Sequence, residues 1–396
     1  MFRCEGGYSV HLNGHPRRPT VLVVGPLPPP LNGMTVMTAY ALAAFENENV
    51  PHEHLDSSDH REVGNVGRFD LRNIWLAFQH WIELDLKLRR GRPDLVYLPV
   101  AQSTLGFLRD ALFFAAASRH STPVVVHLHG AAFGEFYRRT SPLMRWVVRS
   151  CLRNPERVIV LGESLRDVFT GLVEDRDVVV VPNGVPEVPP ISDQPHGPRA
   201  TRIVFLSNLS LGKGYQDVLG AARAVVNRHP DAYFTLAGEW ARPRDATRVR
   251  NWLKQEGIAD RVSIRRPVVG LRKEELLRSA DIFVFPPRQL EGQPVVLLEA
   301  MSHGLPVITT ARGGIRDTVR AGKTAIIVPP GDPEALAEAI DLLITNPDLK
   351  HAMGRAGRAL YEECFTQSKF QTALGEAVAP RAWARKGAGA SSEGIN

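Results

Sequence analysis

Cysteine is scarce: the chain of 396 residues has three, Cys4, Cys151 and Cys364, far apart and with no CxxC pair. That excludes a disulfide scaffold and a cysteine zinc site, and it fits a reducing compartment. Long apolar runs are missing too. The longest, Ala111–Ala117, has seven residues, and a membrane-spanning helix needs about 20. The polar start Met1–Thr20, with Gly6, Gly7 and Gly14, is no signal peptide. It reads as a floppy extension or a misassigned start. Neither GxGxxG nor GxxxxGK[ST] occurs, which disfavours nicotinamide dehydrogenases and P-loop nucleotidases. Charge of one sign is not in great excess: 48 Lys+Arg face 42 Asp+Glu. Residues 1–182 net +1 and the remainder +5. That is no nucleic-acid footprint. A half that holds a polyphosphate shows such a bias, and so does an ordinary soluble protein.

What is present is alternation. Thr20–Val24, Asp94–Leu98, Pro123–Leu128, Arg157–Leu161 and Asp177–Val181 are short apolar, β-branched runs. Helical patterns lie between them near 33–45, 71–90, 104–118, 142–153 and 164–172. Continuous apolar strands separated by helices predict parallel strands with crossover helices. Pro182–Ala200, with six prolines and two glycines, then reads as a linker. The alternation restarts with strands at Ile203–Leu206, Ala232–Ala237, Val262–Ile264, Ile282–Phe285, Pro306–Thr309 and Thr324–Val328. Helices are expected near 214–229, 244–256, 272–279, 294–303 and 333–345, and a last helical stretch near 347–377. The expected class is α/β, with two Rossmann-like, doubly wound parallel-sheet domains facing across a cleft. The expected divisions are an extension 1–19, a first domain 20–182, a linker 183–200, a second domain 201–365, and 366–396 as a helix crossing back followed by a disordered tail. Ligands are expected in the cleft, over the carboxyl ends of the strands.

Those ends carry the polar candidates. After the first strand, Asn32-Gly33 opens a helix, where free amides can approach a phosphate; a plain turn is the other reading. The strand Pro123–His127 ends in His127-Leu128-His129-Gly130. His129 is either a polar group aimed at substrate or a loop histidine, and His127 is expected to pack inside. No Glu or Cys at ligand spacing joins them, so no metal is expected. The second half opens with a strand running into Ser207-Asn208-Leu-Ser-Leu-Gly212-Lys213-Gly214. A lysine flanked by glycines lets an anion close in and suits a diphosphate, or it is a surface lysine in a turn.

The most informative segment is Asp281–Ile308, which contains Arg288, Glu291, Gly292, Gln293, Pro294, Val295 and Glu299. Pro294 fits the first turn of a helix, and the amides of Gly292 to Val295 then point out of its N-terminus toward a phosphate or sugar hydroxyl. Glu299 lies in an otherwise apolar helix, so it should be buried. An unpaired buried carboxylate costs several kcal/mol, so it needs donors: ribose hydroxyls, or a structural partner such as a buried Arg.

Glu291 and Glu299, with seven residues between them in EGQPVVLLEAMSHGLPVI, resemble the signature of the retaining GT-B glycosyltransferases of family GT4. Lys213-Gly214, Pro182-Asn183-Gly184-Val185, Gly313-Gly314-Ile315 and Val328-Pro-Pro-Gly331-Asp332 are similar to other motifs of that family. Asn32-Gly33 and His129-Gly130 sit where its N-terminal loop and acceptor-side histidine belong. The resemblance covers about residues 20–370. One departure stands out: Asn208 replaces the family's common arginine, so one cation suffices or Arg288, Arg312 or Arg266 substitutes.

The resemblance implies a GT-B fold and a hexosyltransferase-type reaction. A sugar moves from a nucleoside diphosphate, UDP or GDP, to a glycan or lipid-linked acceptor in cell-surface polysaccharide or glycoconjugate synthesis. Glu299 would take the ribose hydroxyls. Lys213, with Asn32, Gly33, Asn208 and the loop Gly292-Gln293-Pro294-Val295 through its Gly292, Gln293 and Val295 amides, would hold the donor diphosphate. Glu291 would position donor-sugar hydroxyls, and His129 would bind the donor-sugar or leaving-phosphate side. No cofactor or metal is required by this scheme. The rival readings are a GT-B nucleotide-sugar epimerase and a silent nucleotide-sugar-binding subunit. Last, Ser141-Pro142 opens a helix that sets Arg145, Arg149 and Arg153 on one stripe beside Leu143, Trp146, Val147 and Cys151. That stripe suits a peripheral seat on an anionic membrane surface of a cytoplasmic protein, or a helix whose apolar face packs on the sheet with its arginines in water.

Overall fold

A computed structural model of the chain describes residues 20–29, 33–58, 71–189 and 200–379. The expected extension 1–19, Asn32, most of the Pro-rich linker and the tail beyond 379 lie outside the described residues.

The first sheet contains β1 (Val21–Gly25), β2 (His52–Asp56), β3 (Leu95–Pro99), β4 (Val124–His127), β5 (Arg157–Val160) and β6 (Val178–Val180). Its helices are α1 (Gly33–Asn47), α2 (Leu71–Gly91), α3 (Thr104–Arg119), α4 (Phe133–Arg139) and α5 (Pro142–Cys151). The second half runs β7 (Arg202–Leu206), α6 (Tyr215–Arg228), β8 (Tyr233–Ala237), α7 (Pro243–Gln255), β9 (Val262–Arg265), α8 (Leu271–Arg278) and β10 (Ile282–Phe285). It continues with α9 (Val295–Ser302), β11 (Val307–Thr309), α10 (Ile315–Thr318), β12 (Ala325–Ile327), α11 (Pro333–Thr345), α12 (Pro347–Cys364) and α13 (Gln367–Val378).

Both six-stranded sheets are wholly parallel, in the orders β2-β1-β3-β4-β5-β6 and β12-β11-β10-β7-β8-β9. Helices cover both faces of the first sheet, which is why alternate residues of one strand are all apolar. Leu22 and Val24 of β1 pack under α2, α3 and α5 with Leu84, Phe107 and Met144. Val21 and Val23 pack under α1 and α13 with Met37, Phe45, Phe370 and Leu374. At roughly 1.5–3 kcal/mol for each fully buried aliphatic or aromatic side chain, this double coverage is the main support of the strand.

The strand order reverses between β1 and β3 in the first sheet, and between β7 and β10 in the second. At such a reversal neighbouring connections leave on opposite faces and open a crevice at the carboxyl ends. The loops after β7 and β10 carry Lys213 and Glu291, so topology alone brings these two together.

Several expectations change in detail. β2 was not expected, because its sequence HEHLD buries only Leu55 fully and shows no apolar run; it is an edge strand held by pairing with β1. α4 was also missed, being seven residues with one fully buried side chain. The segment expected as a helix near 164–172 is a 3-10 helix, Glu163–Phe169. The stretch near 347–377 is two helices. It breaks without Pro or Gly because the Val185 amide donates to the Phe365 carbonyl at 3.1 Å and the Gln367 amide donates to the Val185 carbonyl at 2.8 Å, while Thr366 caps α13. α13 thereby returns to the first sheet, where the Arg157 guanidinium donates to the Glu376 and Ala377 carbonyls at its end, a favourable seat for a cation.

Candidate active site

Lys213 closes a single 3-10 turn, Leu211–Lys213, that delivers the chain into α6. Gly214 follows with φ +81°, and a Cβ there would meet the Pro286 carbonyl at 2.0 Å. Only glycine permits both the left-handed turn and this approach. The loop after β10 is clamped onto the same turn, since the Arg288 and Gln289 amides both donate to the Gly212 carbonyl. The clamp puts the Lys213 ammonium 2.7 and 2.9 Å from the two Glu291 oxygens. Gln289 Nε2 donates to Glu291 Oε1 at 2.7 Å. The cation also lies 5.6 Å from the centre of the Phe285 ring. Lys213 and Glu291, read from the sequence as separate contacts, are therefore one ion pair. Gln289 was missed, although it stands two residues from Glu291.

Glu291 is fixed from behind as well: its carbonyl accepts from Gly314. Beyond it, Gly292 meets the first half. A Cβ there would strike the His129 carbonyl at 2.2 Å. Gln293 does not turn its side chain into the cleft; its Oε1 accepts from the Asn183 amide at 2.6 Å, and its carbonyl accepts from Asn183 Nδ2 at 3.0 Å. Ser164 makes a third crossing, donating through its amide and hydroxyl to Asp317. Pro294 precedes the first helical residue, Val295, as N-cap of α9.

Glu299 is nearly buried, and its partner is Lys273 on α8, 2.5 Å away. Of the alternatives for this carboxylate, a protein cation is present, a lysine rather than an arginine. Burial raises the Glu299 pKa, opposed by Lys273. Tyr40 on α1 lies close enough for Glu299 to add to the rise that burial causes in its own pKa, so α1 and α9 face each other. Of the cations considered beside Asn208, Arg288 is engaged: its guanidinium grips the buried Asp217 of α6. Arg266 is exposed and lines a cavity of about 660 Å³ with Glu239, Trp240, Arg250, Lys254 and Arg265. Arg312 precedes Gly313, which bridges to Glu291, and its buried Nε has no partner among the described residues. Asn208 itself is exposed.

Across the contact at Gly292, β4 ends in a stacked pair. The His127 and His129 rings lie 3.9 Å apart at 29°. His127 is fully buried, with Tyr97 Oη 2.5 Å from its Nδ1. Burial depresses both imidazoles, His129 to about 4, so both are neutral at pH 7. Both His129 ring nitrogens and His127 Nε2 are buried, with no partner among the described residues. The loop behind them is held by Gln102, which accepts from the Ala132 amide. Gly33 is the exposed first residue of α1, with open space around it. Among the described residues no three His, Cys, Asp or Glu gather as a metal site, and no helix is long and apolar enough to cross a membrane.

These features are those of a known family. A family profile described as "Glycosyl transferases group 1" matches residues 191–360, and one described as "Glycosyl transferase 4-like domain" matches 18–184. Glycogen synthase of Mycobacterium tuberculosis is 26% identical over 325 residues, covering 78% of this chain and 75% of that protein. A GDP-mannose-dependent α-(1-6)-phosphatidylinositol monomannoside mannosyltransferase of Mycolicibacterium smegmatis is 33% identical over 165 residues, 39% of this chain and 42% of that protein. In fold, the crystal structure of Anabaena HepE in complex with UDP and glucose superposes with a TM-score of 0.69 at 17% identity, covering 91% of this chain and 99% of HepE. With two parallel sheets of GT-B type and profile matches on both halves, the chain belongs to the group 1, GT4-type glycosyltransferases.

Proposed function

We propose that the chain moves a sugar from a nucleoside-diphosphate donor, UDP- or GDP-linked, to a glycan or lipid-linked acceptor, with retention at the anomeric carbon. The observation that carries this is the Lys213–Glu291–Gln289 cluster at the β7/β10 reversal, one residue from the Gly292–His129 contact. In this reading the donor diphosphate settles over Lys213. The pair with Glu291 holds the ammonium in place before the donor arrives, so little reorganisation is needed when charge develops. Arg312, with its unpartnered Nε, supplies the second cation that Asn208 lacks. Glu299 takes the ribose hydroxyls and shares its charge with Lys273. Neutral His129 offers a hydrogen bond, not a charge, to the donor sugar. The C1–oxygen bond to the diphosphate breaks as an acceptor oxygen bonds to C1 on the same face. The hydroxyl proton passes to the departing phosphate oxygen.

The mycobacterial mannosyltransferase uses GDP-mannose by its name, and HepE was crystallised with UDP; both bases therefore belong in the test. The purified protein is incubated with UDP- and GDP-sugars, nucleotide release is followed, and the anomeric configuration of the product is read by NMR. Release with one donor and a retained anomer is expected. No release across the panel removes the donor assignment, and an inverted anomer removes the same-face route.

A further inference from the structure

Thirteen large apolar side chains stand exposed among the described residues, and nine of them share one surface. α2, α3 and α5 form the outer layer over one face of the first sheet, α2 beside α3 and α3 beside α5. Their inner sides are satisfied by the core through Leu84, Leu88, Phe107, Phe113, Met144 and Val148. Their outer sides are apolar again. Trp75, Phe78, Ile82 and Leu86 follow the three- and four-residue spacing of a single stripe on α2. Leu105, Leu108 and Leu112 repeat it on α3. Leu143 and Trp146 stand out from α5, 71% and 65% exposed. Trp75, Phe78 and Trp81 form a ladder of rings with centroids 6.3 and 5.5 Å apart. Scattered exposed leucines need no explanation, but nine on one helical layer mark a docking surface.

Charge identifies what docks. Residues 71–91, 104–119 and 133–153 hold eleven Lys/Arg against four Asp/Glu. Their excess of +7 exceeds the +6 of the whole chain. Arg145, Arg149 and Arg153 lie beside the apolar stripe of α5, Arg138 and Arg139 end α4, and all five are exposed. Arg149 leans on Tyr137, and Arg145 on the Thr140 carbonyl; among the described residues neither meets a carboxylate. A second copy placed against this face would set one positive field against another. A neutral protein partner would leave the arginines unanswered. Tryptophans at the level of headgroups and arginines on lipid phosphates answer both halves of the surface.

We propose that the α2–α3–α5 face seats the protein on an anionic phospholipid bilayer. The proposal goes beyond the sugar chemistry, since none of these residues touches the Lys213 cluster, and its test does not need the enzyme to turn over.

The full-length protein is sedimented with vesicles of phosphatidylcholine mixed with phosphatidylglycerol, and with vesicles of phosphatidylcholine alone. Pelleting with the anionic vesicles only is expected, weakened by added salt. Two variants, Trp75→Ser/Phe78→Ser/Leu143→Ser/Trp146→Ser and Arg145→Ala/Arg149→Ala/Arg153→Ala, each lower the partition coefficient at least about tenfold. All seven positions are exposed, so the melting temperature stays near that of the parent and serves as the fold control. Absence of pelleting, equal pelleting on both vesicles, or parent-like pelleting by both variants overturns the proposal. So does a stable dimer in light scattering that the serine variant dissolves, which assigns the face to a second copy.

Discussion

The two halves turn opposite kinds of polarity toward each other. The second half places charge at its strand ends: Lys213 with Glu291, Lys273 with Glu299, Arg288 with Asp217. The first half offers two neutral, stacked imidazoles and the backbone of the His129–Ala132 loop. Its own charge lies elsewhere, on the outer helices. A fixed anion such as a diphosphate needs preset cations, and ion pairs keep those cations oriented while nothing is bound. A partner of variable shape is better met by neutral groups, which impose no large desolvation cost on a wrong ligand. Under the proposed function, the constant chemistry would fall to one half and the changeable chemistry to the other.

The largest effect expected is on the charged side. Lys213→Ala should lower kcat at least about 10²-fold in a nucleotide-release assay, because it removes the cation facing the charge that grows on the leaving group. Near-parent turnover would move that role to Arg312 and blur the division between the halves.

On the neutral side, pH is the probe. The unfolded chain takes up a proton on His129 near pH 6.5, while burial keeps the folded imidazole neutral down to about 4. The unfolded state therefore binds more protons in this window, and stability falls as pH drops through it. Between pH 7 and 5 this one group accounts for a loss of about 2 kcal/mol. His129→Gln should lose correspondingly less than the parent in urea denaturation at the two pH values. Equal losses would mean that His129 is hydrated and already charged at pH 5.

Glu299→Gln should raise the donor KM about tenfold with kcat little changed, since a ribose contact made before and during reaction is uniform binding. A fall in kcat alone would take Glu299 away from the ribose. The smallest effect belongs to Arg288→Ala. It leaves Asp217 buried with a lost partner, but the arginine is partly exposed, so about 1 kcal/mol of stability should go. KM and kcat for the donor should stay near parent values. A raised KM would return Arg288 to the list of diphosphate cations.

Legibility followed the same division. In the second half Lys213, Glu291 and Glu299 stand out because glycines and apolar neighbours isolate them in the sequence. Lys273 does not: it lies among the charged residues of LRKEELLR, and only its approach to Glu299 in the fold selects it. Gln293 was readable as part of a loop but not as a bridge, because its partner Asn183 is 110 residues away. In the first half, β2 has no apolar period. The break at Phe365, between α12 and α13, is made by a distant backbone, not by a local breaker. The two stripes on α2 and α3 were equally hidden. Period alone cannot tell a helix apolar toward the core from one apolar toward both sides.

The bonds from Val185 to Phe365 and Gln367 restrict how the two halves can move relative to each other. They fasten the chain's outgoing and returning passages side by side, and Tyr361 adds its hydroxyl to the Val185 and Pro186 carbonyls. A single tether lets two bodies swing, slide and swivel. Two tethers stapled together act as one hinge pin, and the motion left is bending about it. A ligand that bridged the two halves would therefore lose less freedom in ordering them, because most of the wandering was removed when the chain folded.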